Sequence, residues 1–436
     1  MLLRFTVENF RSIAEKQTFD LGASRYFKEM LETNSFSVKT NERNLPRVLR
    51  SAGIYGANAS GKSTLALSLA FVRWFVVEFF KHSQAGETIP FDPFRLSSFF
   101  IEEDTVFELI FLEKSRPENE TDPDAQEFIR YQYGFRLNRR RVTEEWLIAY
   151  PHARPQRWFH RRFDSEKNID RYQWGPAFRG GRLREVWKNQ TRDNALFLST
   201  AVQLNNEQLK PVFFWFSKRL VLLNARSISE PFPAISRLES EGADKIRSFL
   251  KDLDLSIDGI RIVRHPFSPE EIPDHFPAEP REKMVRDMAG KEMKDLEFLH
   301  PSADGKDLVP FRIDDESDGT RNLFSFSAHW LNMLEKDQIL VIDEIDTSLH
   351  PLVVRRLIEL LHQSRCKAQL IFTTHDSSLL SSGILRRDQI WFVEKNRGQA
   401  TVLYPLSDFS VQKEEALEKR YLSGRYGAVP FFRTSD

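Results

Sequence analysis

The 436-residue chain has little cysteine and no net charge. Cys366 is the only cysteine, which excludes a disulfide within the chain and argues against a cysteine-based zinc site. This usage fits a reducing compartment, and we expect a cytoplasmic protein. Sixty-three basic residues balance sixty-three acidic ones. Nucleic-acid binding would therefore need a local basic patch rather than a general electrostatic attraction.

Other features are absent as well. The N-terminal residues lack a basic segment followed by a long apolar stretch, so we expect no signal peptide. The most apolar run, residues 65–80, contains Arg73 and Glu78, which favours a buried helix over a membrane span, and we expect no membrane partner. Residues 227–310 show no heptads or fixed-period repeats, which excludes a long coiled-coil arm. The chain also lacks a His-Glu-x-x-His motif and a nucleophile elbow.

What the chain does contain is a phosphate-binding loop. Residues 56–63 read Gly-Ala-Asn-Ala-Ser-Gly-Lys-Ser, which fits G-x-x-x-x-G-K-[ST], between a strand pattern and a helix pattern. The glycines let backbone N–H groups approach phosphate oxygens, and the helix N-terminus adds partial positive charge. We expect Lys62 to bind the β- and γ-phosphates of ATP and Ser63 to ligate Mg²⁺. The predicted ATP-binding residues of the loop are Gly56, Asn58, Ser60, Gly61, Lys62, Ser63 and Thr64.

A second group of polar residues follows two apolar strand patterns. Asp343 and Glu344 come directly after the continuous apolar run 339–342, of the kind buried in parallel sheets. We expect Asp343 to hold Mg²⁺ and Glu344 to act as the catalytic base that polarises the attacking water. His375 follows the next buried strand pattern, residues 369–373, where it can sense the γ-phosphate, and is the second predicted catalytic residue.

A third phosphate-binding pattern stands ahead of a helix that begins near Arg321. Ser317, Gly319 and Thr320 place hydroxyls and a glycine at this helix N-terminus. One nucleotide rarely needs two such helix ends from the same subunit. We therefore expect these residues to complete the site of another subunit, in a homodimer or a higher even-numbered homo-oligomer. A plain N-cap by Ser317 or Asp318 is the alternative.

The order and spacing of these motifs resemble those of ABC-type ATPase heads, the branch that includes SMC and RecF proteins. The corresponding elements are Walker A (Lys62-Ser63), the signature (317–320), Walker B (Asp343-Glu344), the D-loop aspartate (Asp346) and the switch histidine (His375). The resemblance also implies that Arg11, within the Asn-Phe-Arg-Ser sequence of residues 9–12, lies near the nucleotide and binds it.

More closely, the chain resembles the bacterial RloA/AbiL-like ATPases, loosely called AAA or AbiEii-type ATPases. The stretches that carry this resemblance are 54–63, 316–320, 342–346, 349–351, 374–376 and 421–430. It implies a role in phage defence beside a separately encoded effector such as a nuclease.

Asp318 stands where transporter-type signatures have glycine, which is usual in this branch. No Q-loop glutamine can be assigned, since Gln84, Gln126 and Gln132 are all unconvincing.

These patterns predict an α/β fold, namely an ABC-type ATPase head (a P-loop NTPase) with a split core, an antiparallel β subdomain and a mostly helical insertion. Period-two alternation predicts antiparallel strands over 106–112, 131–137, 142–150 and 157–163. An exposed acidic loop is expected over 115–126. The expected domains are the two halves of the ATPase core (1–80 and 311–405), the antiparallel subdomain (81–190), a helical insertion or lid (191–310) and a family-specific tail (406–436).

Three hypotheses of function follow for this ATP- and Mg²⁺-dependent hydrolase. In the first, ATP-driven pairing of two heads regulates a separate nuclease-like effector in an anti-phage (abortive infection) system.

In the second, the chain is a RecF- or SMC-like DNA-binding ATPase in repair. Residues 136–192 contain thirteen arginines, two lysines and four tryptophans against six acidic residues, a pattern typical of nucleic-acid contacts. Pairing of these arginines with the acidic stretch 102–127 is the alternative. In the third, the chain is an ATP-gated scaffold that hydrolyses slowly.

Overall fold

The computed structural model describes residues 1–114, 128–152, 154–272, 277–290, 292–410 and 416–429. The predictions that lie outside this part of the chain concern the acidic loop 115–126 with Gln126 and the tail residues 411–415 and 430–436. The chain divides into two compact units. The first consists of Met1–Ala225, Met333–Thr347 and Pro351–Asp436, and the second of Arg226–Asn332 with Ser348–His350.

The described residues contain eighteen strands, which are rich in the β-branched and aromatic side chains that suit a pleated surface. In chain order they are β1 (Leu2–Glu8), β2 (Gln17–Asp20), β3 (Ser35–Phe36), β4 (Val48–Leu49), β5 (Ser51–Tyr55), β6 (Thr105–Lys114), β7 (Phe128–Leu137), β8 (Val142–Tyr150), β9 (Gln156–Asp164), β10 (Ile169–Trp174), β11 (Leu220–Leu223), β12 (Gly259–Pro266), β13 (Glu292–Pro301), β14 (Leu308–Arg312), β15 (Ile339–Ile342), β16 (Gln369–Thr373), β17 (Ile390–Lys395) and β18 (Thr401–Pro405).

The same part of the chain contains sixteen α-helices. In chain order they are α1 (Leu31–Asn34), α2 (Lys62–Trp74), α3 (Phe80–His82), α4 (Ser98–Glu102), α5 (Leu183–Gln190), α6 (Phe197–Gln203), α7 (Lys210–Phe214), α8 (Ala225–Ser229), α9 (Phe232–Arg237), α10 (Ala243–Asp252), α11 (Ala278–Met288), α12 (Asp318–Glu335), α13 (Ile345–Ser348), α14 (Pro351–Gln363), α15 (Ser378–Ser381) and α16 (Leu417–Leu422). Short π-helical segments follow α2, α7 and α9, at Phe75–Phe79, Trp215–Arg219 and Leu238–Gly242.

The first unit contains a six-stranded sheet in the order β11-β15-β16-β5-β17-β18. Its strands pair in parallel except for β18, which is antiparallel to β17. The buried strands predicted at 339–342 and 369–373 lie in this sheet as β15 and β16, which confirms those predictions. The carboxyl ends of parallel strands meet at one edge, so the loops after β5, β15 and β16 come together there.

A seven-stranded antiparallel sheet, in the order β10-β9-β8-β7-β6-β1-β2, also belongs to the first unit. The strands predicted from alternation are confirmed as β6, β7, β8 and β9, and β10 is an additional strand. β1 pairs with β6 rather than with the parallel sheet. The N-terminal strands therefore complete the antiparallel sheet, and the expected domain boundary at residue 80 does not separate the two sheets.

The helix that follows the phosphate-binding loop packs in a hydrophobic core shared by both sheets. Leu69, Val72 and Phe75 are at most 1% exposed, and the Phe71 ring lies 5.3 Å from that of Phe107 on β6. In the described part of the chain one helix, Lys62–His82, is long and apolar enough to cross a membrane, but its apolar window is mostly buried. It is the core helix predicted from residues 65–80.

The second unit is part helical and part β. The rings of Phe249 on α10 and of Phe326 and Trp330 on α12 lie 6.1–6.4 Å apart. The helices of this unit include α10 and α11, which lie within the stretch expected to be a helical insertion. Within the stretch expected to be a helical insertion, β12 and β13 form a three-stranded antiparallel sheet with β14. Period-two burial of Leu296 and Phe298 against the core stabilises this sheet.

A buried charged network ties α6 to the antiparallel sheet. Glu145 on β8 accepts hydrogen bonds from Phe197 N at 2.6 Å, Leu198 N at 3.0 Å and the Tyr133 hydroxyl at 3.0 Å. Arg161, equally buried, lies 4.0 Å from this carboxylate. Burial raises the pKa of Glu145, and the surrounding donors and the arginine offset much of the cost of burying its charge.

We expect Glu145→Ala to lower the free energy of unfolding by about 3 kcal/mol, because it leaves three buried donors without an acceptor and removes a buried counter-charge. Glu144→Ala is the matched control. Its carboxylate belongs to the same strand but is 23% exposed, so the loss should stay below about 1 kcal/mol. Urea denaturation followed by circular dichroism measures both values, and equal losses would contradict a structural role for the network.

Candidate nucleotide-binding site

The phosphate-binding loop joins the carboxyl end of β5 to the start of α2. Gly61 has φ 110°, in the left-handed region that favours glycine, and a Cβ there would clash with Thr401. A Cβ on Gly56 would clash with the carbonyl of Val393. Both glycines are therefore required by the close approach of the loop to β17 and β18. Asn58, between them, is exposed.

Lys62 is buried at the first position of α2 and turns back over the loop. Its Nζ donates to Gly56 O at 2.7 Å and to Ala57 O at 3.0 Å, and lies 3.4 Å from His375 Nδ1. Burial lowers the pKa of Lys62 to about 8, against the attraction of nearby carboxylates, that of Glu344 first. The ammonium group therefore keeps its charge at neutral pH.

Hydroxyl side chains hold the loop from outside. Ser12 Oγ lies 2.8 Å from Thr64 Oγ1, and Thr401 Oγ1 lies 2.8 Å from Ser12 Oγ and 2.9 Å from Ser60 O. Lys395 Nζ donates to Thr401 Oγ1 at 3.1 Å. No sequence pattern indicated Thr401, because it belongs to no motif. Ser12 lies in the Asn-Phe-Arg-Ser sequence, and that motif could have identified it.

Arg11 lies beside this anchored loop. Its backbone N–H donates to Asp92 O at 2.7 Å, and its φ is 53°. With Arg95 and Lys395 it lines a cavity of about 300 Å³ that also touches Ser12. Contact between Arg11 and the nucleotide stays a prediction.

Asp343 and Glu344 follow β15 at the same edge of the parallel sheet. Thr373 Oγ1, at the end of β16, donates to Asp343 Oδ1 at 2.7 Å and accepts from the backbone N–H of Glu344 at 2.7 Å. Glu344 has φ 55°, an uncommon conformation for this residue type. Thr373 thus holds both acidic residues, and sequence analysis missed it because a threonine that ends an apolar strand has no distinguishing pattern.

His375 lies between Lys62 and Glu344, with its Nε2 4.0 Å from Glu344 Oε1. Its backbone N–H donates to Asp346 Oδ2 at 3.1 Å. The other carboxylate oxygen, Asp346 Oδ1, is buried with no hydrogen-bond partner among the described residues. The structure therefore brings the predicted Walker A lysine, catalytic glutamate, D-loop aspartate and switch histidine into one cluster.

The donors at this edge fit a magnesium-bound triphosphate. Ser60 Oγ is buried and has no hydrogen-bond partner in the described ranges, so the loop offers an unused hydroxyl beside the Lys62 ammonium. Ser63 and Asp343, the predicted Mg²⁺ ligands, carry oxygen atoms of the kind that Mg²⁺ prefers, and in such sites phosphate and water oxygens complete the coordination. The described residues hold no group of three or more His, Cys, Asp or Glu that could bind a metal, and a site of this type requires none.

The predicted signature lies in the second unit, where α12 begins at Asp318. Ser317 Oγ accepts from the backbone N–H of Thr320 at 3.2 Å and lies 3.0 Å from Thr320 Oγ1. Ser317 therefore caps the N-terminus of α12, as the N-cap alternative predicts. A Cβ on Gly319 would meet only Ser317 Oγ, at 3.7 Å, so packing among the described residues does not demand glycine at this position.

The tryptophans of the basic stretch 136–192 do not form a stacking surface. Trp158 and Trp187 are buried, the Trp146 indole N–H donates to Glu108 Oε2 at 3.0 Å, and Trp174 stacks on Phe178. These rings are thus committed to packing or to hydrogen bonds within the chain.

Several arginines of the same stretch are paired. Arg141 and Arg161 both bind Asp170, Arg136 binds Glu144, and Arg171 binds Asp164. These partners lie outside the acidic stretch 102–127, of which the structure describes only residues 102–114, so the expected pairing with that stretch stays a prediction. Strand neighbours supply the carboxylates in these pairs. Exposed arginines of the stretch include Arg140, Arg162, Arg179 and Arg182.

The Q-loop glutamine stays unassigned. Gln132 Nε2 donates to Glu108 Oε2 on the antiparallel sheet, the Gln84 carbonyl accepts from Asn194, and Gln126 lies outside the described residues. Neither described contact joins a glutamine to the cluster around Lys62.

Solved structures similar to this chain are SMC head domains. The SMC head domain from Thermotoga maritima has 13% sequence identity and a TM-score of 0.38, and the match covers 94% of this chain and 99% of that one. An Smc head with an extended coiled coil, bound to the C-terminal domain of ScpA and derived from Pyrococcus furiosus, has 14% identity, a TM-score of 0.36, and coverage of 93% and 96%. These similarities are too low to support any inference about the function of this chain. No curated protein matches the chain significantly.

One family model matches residues 51–381, from β5 through the phosphate-binding loop, Asp343-Glu344 and His375 to α15. The matched segment is more than half of the 436 residues. The split parallel sheet, the antiparallel sheet and the clustered motifs agree with a P-loop ATPase head of the ABC type. The chain belongs to the family described as "AAA domain, putative AbiEii toxin, Type IV TA system".

Proposed function

We propose that this chain is a Mg²⁺-dependent ATP hydrolase of the RloA/AbiL type, and that ATP-driven pairing of two heads controls a separate, nuclease-like effector in a cytoplasmic anti-phage system. The observation that carries the enzymatic part is the cluster at the carboxyl edge of the parallel sheet, where His375 lies between Lys62 and Glu344. The family description, which names a toxin–antitoxin system, supports the defence role.

The chain's own groups divide the work of hydrolysis. Lys62 binds the β- and γ-phosphates, and Ser63 and Asp343 would hold Mg²⁺, which neutralises phosphate charge when bound. Glu344 orients the attacking water and takes its proton. Thr373 keeps Asp343 and Glu344 in position through two 2.7 Å hydrogen bonds.

Pairing of two heads is supported by the signature in the second unit. Ser317 caps α12, but the cap alone leaves Gly319 unexplained, since a Cβ there meets open space apart from one contact at 3.7 Å. Glycine at a helix N-terminus keeps the backbone N–H groups accessible to an anion. We infer that Ser317, Gly319 and Thr320 bind the γ-phosphate held by another copy of the chain.

A RecF- or SMC-like DNA-binding ATPase in repair remains the second candidate. Exposed arginines such as Arg140, Arg162 and Arg182 favour it, because guanidinium groups bind phosphates without regard to sequence. The tryptophans of the basic stretch count against it, since each of them packs or donates a hydrogen bond within the described part of the chain. The third hypothesis, a scaffold with slow hydrolysis, differs from the proposal only in rate.

Glu344→Gln should bind ATP, hydrolyse it at least about 100-fold more slowly and accumulate as a dimer, because the amide cannot take the proton of the attacking water. Light scattering after gel filtration, with and without ATP and Mg²⁺, measures the association. Glu344→Gln combined with Lys62→Ala is the control and should stay monomeric. An ATP-independent mass for Glu344→Gln would refute the paired-head proposal, and normal hydrolysis by Lys62→Ala alone would refute the site.

Tagged Glu344→Gln, expressed in its native host with ATP and Mg²⁺ kept through purification, should retain a second protein in stoichiometric yield. The trapped closed state lengthens the life of an ATP-dependent complex. The Lys62→Ala/Glu344→Gln variant separates this partner from background. Recovery of nuclease-sensitive nucleic acid without a protein would move the assignment to the DNA-binding ATPase.

Under the effector proposal, the chain should show no DNA or RNA binding in fluorescence anisotropy at about 50 mM salt, where phosphate contacts are strongest. Salt-sensitive binding that is lost in Arg139→Ala/Arg140→Ala would instead favour the DNA-binding ATPase. Arg141 is left unchanged because it binds Asp170 at 2.9 Å and stacks on Phe163, so its loss would disturb the sheet. Lys167→Ala/Lys188→Ala serves as the charge-matched control.

A further inference from the structure

The C-terminal segment, residues 416–429, is built into the ATPase core. Phe392 on β17 stacks on Tyr421 (centroids 5.4 Å apart, planes at 15°) and on Tyr426 (5.7 Å, 16°). Tyr426 is 1% exposed, and its carbonyl accepts from the Tyr404 hydroxyl at 2.8 Å. Aromatic packing of this extent holds the segment against β17 and β18.

A tight turn fixes the end of the segment. Gly427 has φ 67°, and a Cβ there would clash with Glu394 and with the Tyr404 hydroxyl. The next backbone N–H, of Ala428, donates to Glu394 Oε2 at 3.0 Å, and the Ala428 carbonyl accepts from the Tyr421 hydroxyl at 3.1 Å. The close approach requires glycine at this position, and it fixes where the segment packs against β17 and β18.

This docked segment reaches the loop that carries His375. The Ser377 hydroxyl, two residues after the histidine, donates to Glu418 Oε1 on α16 at 3.0 Å. Other backbone anchors of the loop include the Thr374 N–H, which donates to Ile54 O at 3.1 Å, and the His375 N–H, which donates to Asp346 Oδ2 at 3.1 Å. Glu418 thus holds the loop at a point two residues beyond the histidine.

The segment also touches the strand that leads into the phosphate-binding loop. The Tyr421 ring meets that of Tyr55, the last residue of β5, at 6.3 Å and 68°. One short helix therefore contacts both the strand before the phosphate-binding loop and the loop after β16.

We propose that the C-terminal segment is a positioning element of the hydrolysis site, which holds the His375 loop in place through the hydrogen bond from Ser377 to Glu418. The inference rests on the proposed function, in which His375 acts on the γ-phosphate. Loss of the bond leaves Lys62 and the loop glycines untouched, so ATP binding persists while the histidine samples unproductive positions.

Glu418→Ala should lower kcat for ATP about fivefold with KM for ATP changed less than about twofold, because the bond positions a catalytic group and binds no substrate. Glu418→Gln, whose amide oxygen can accept the same hydrogen bond, should retain most of the rate. Ser377→Ala should match Glu418→Ala, and the double variant should be no slower than either single one. Lys419→Ala, an exposed neighbour on the same helix, is the matched control.

Hydrogen exchange without nucleotide gives a second readout that does not depend on activity. The backbone amides of residues 374–378 should exchange faster in Glu418→Ala than in wild type, and at the wild-type rate in Lys419→Ala. Unchanged kcat and unchanged exchange in Glu418→Ala would overturn the proposal, as would additive losses in the double variant. If the wild-type chain hydrolyses no ATP, the proposed function is contradicted instead. The hydrogen-exchange experiment alone then decides whether the C-terminal segment positions the His375 loop.

Discussion

The pairing of β5 with β16 and β17 is the constraint on which the rest of the first unit depends. β5 is Ser51–Tyr55, whereas its two neighbours lie beyond residue 368. Closing so long a loop costs entropy that grows only with the logarithm of its length, so burial of the apolar strands can outweigh it. The register sets Thr373 opposite Ile54. That alignment brings the phosphate-binding loop beside the His375 loop.

The same register concentrates charge at one edge of the sheet. Lys62 is buried there with a lowered pKa, and its ammonium is stabilised by loop carbonyls at 2.7 and 3.0 Å. Thr373, at the end of β16, positions Asp343 and Glu344, and Asp346 on α13 accepts from the backbone N–H of His375. Dipoles and charges held in this way need little reorganisation when phosphate charge develops, which is the main requirement of phosphoryl transfer.

Sequence reasoning predicts those parts of the site that local patterns encode. The glycine loop, the acidic pair and the buried strands have characteristic local residue types, and their spatial cluster follows from parallel pairing. Thr373, Thr401 and Glu418 have no such signal, because their roles arise only when distant segments pack together. The tryptophans illustrate the opposite error. Interleaving with arginine suggested base stacking, yet Trp158 on β9 is buried, as is the adjacent Phe159. The pairing of β8 with β9 shifts register at this point, so alternation alone could not have predicted its burial.

Residues near the two ends of the described chain hold two loops of the site. Ser12 fixes the phosphate-binding loop through Thr64 and Thr401, and Glu418 fixes the loop of His375. Coupling between sites is reciprocal: if γ-phosphate shifts the His375 loop, a partner that shifts the C-terminal segment must change nucleotide affinity by the same free energy. Such a partner would be coupled to the site through the hydrogen bond from Ser377 to Glu418 and through the contact of Tyr421 with Tyr55. An effector on the antiparallel sheet would have to act through the close-packed core around α2, where small displacements are costly.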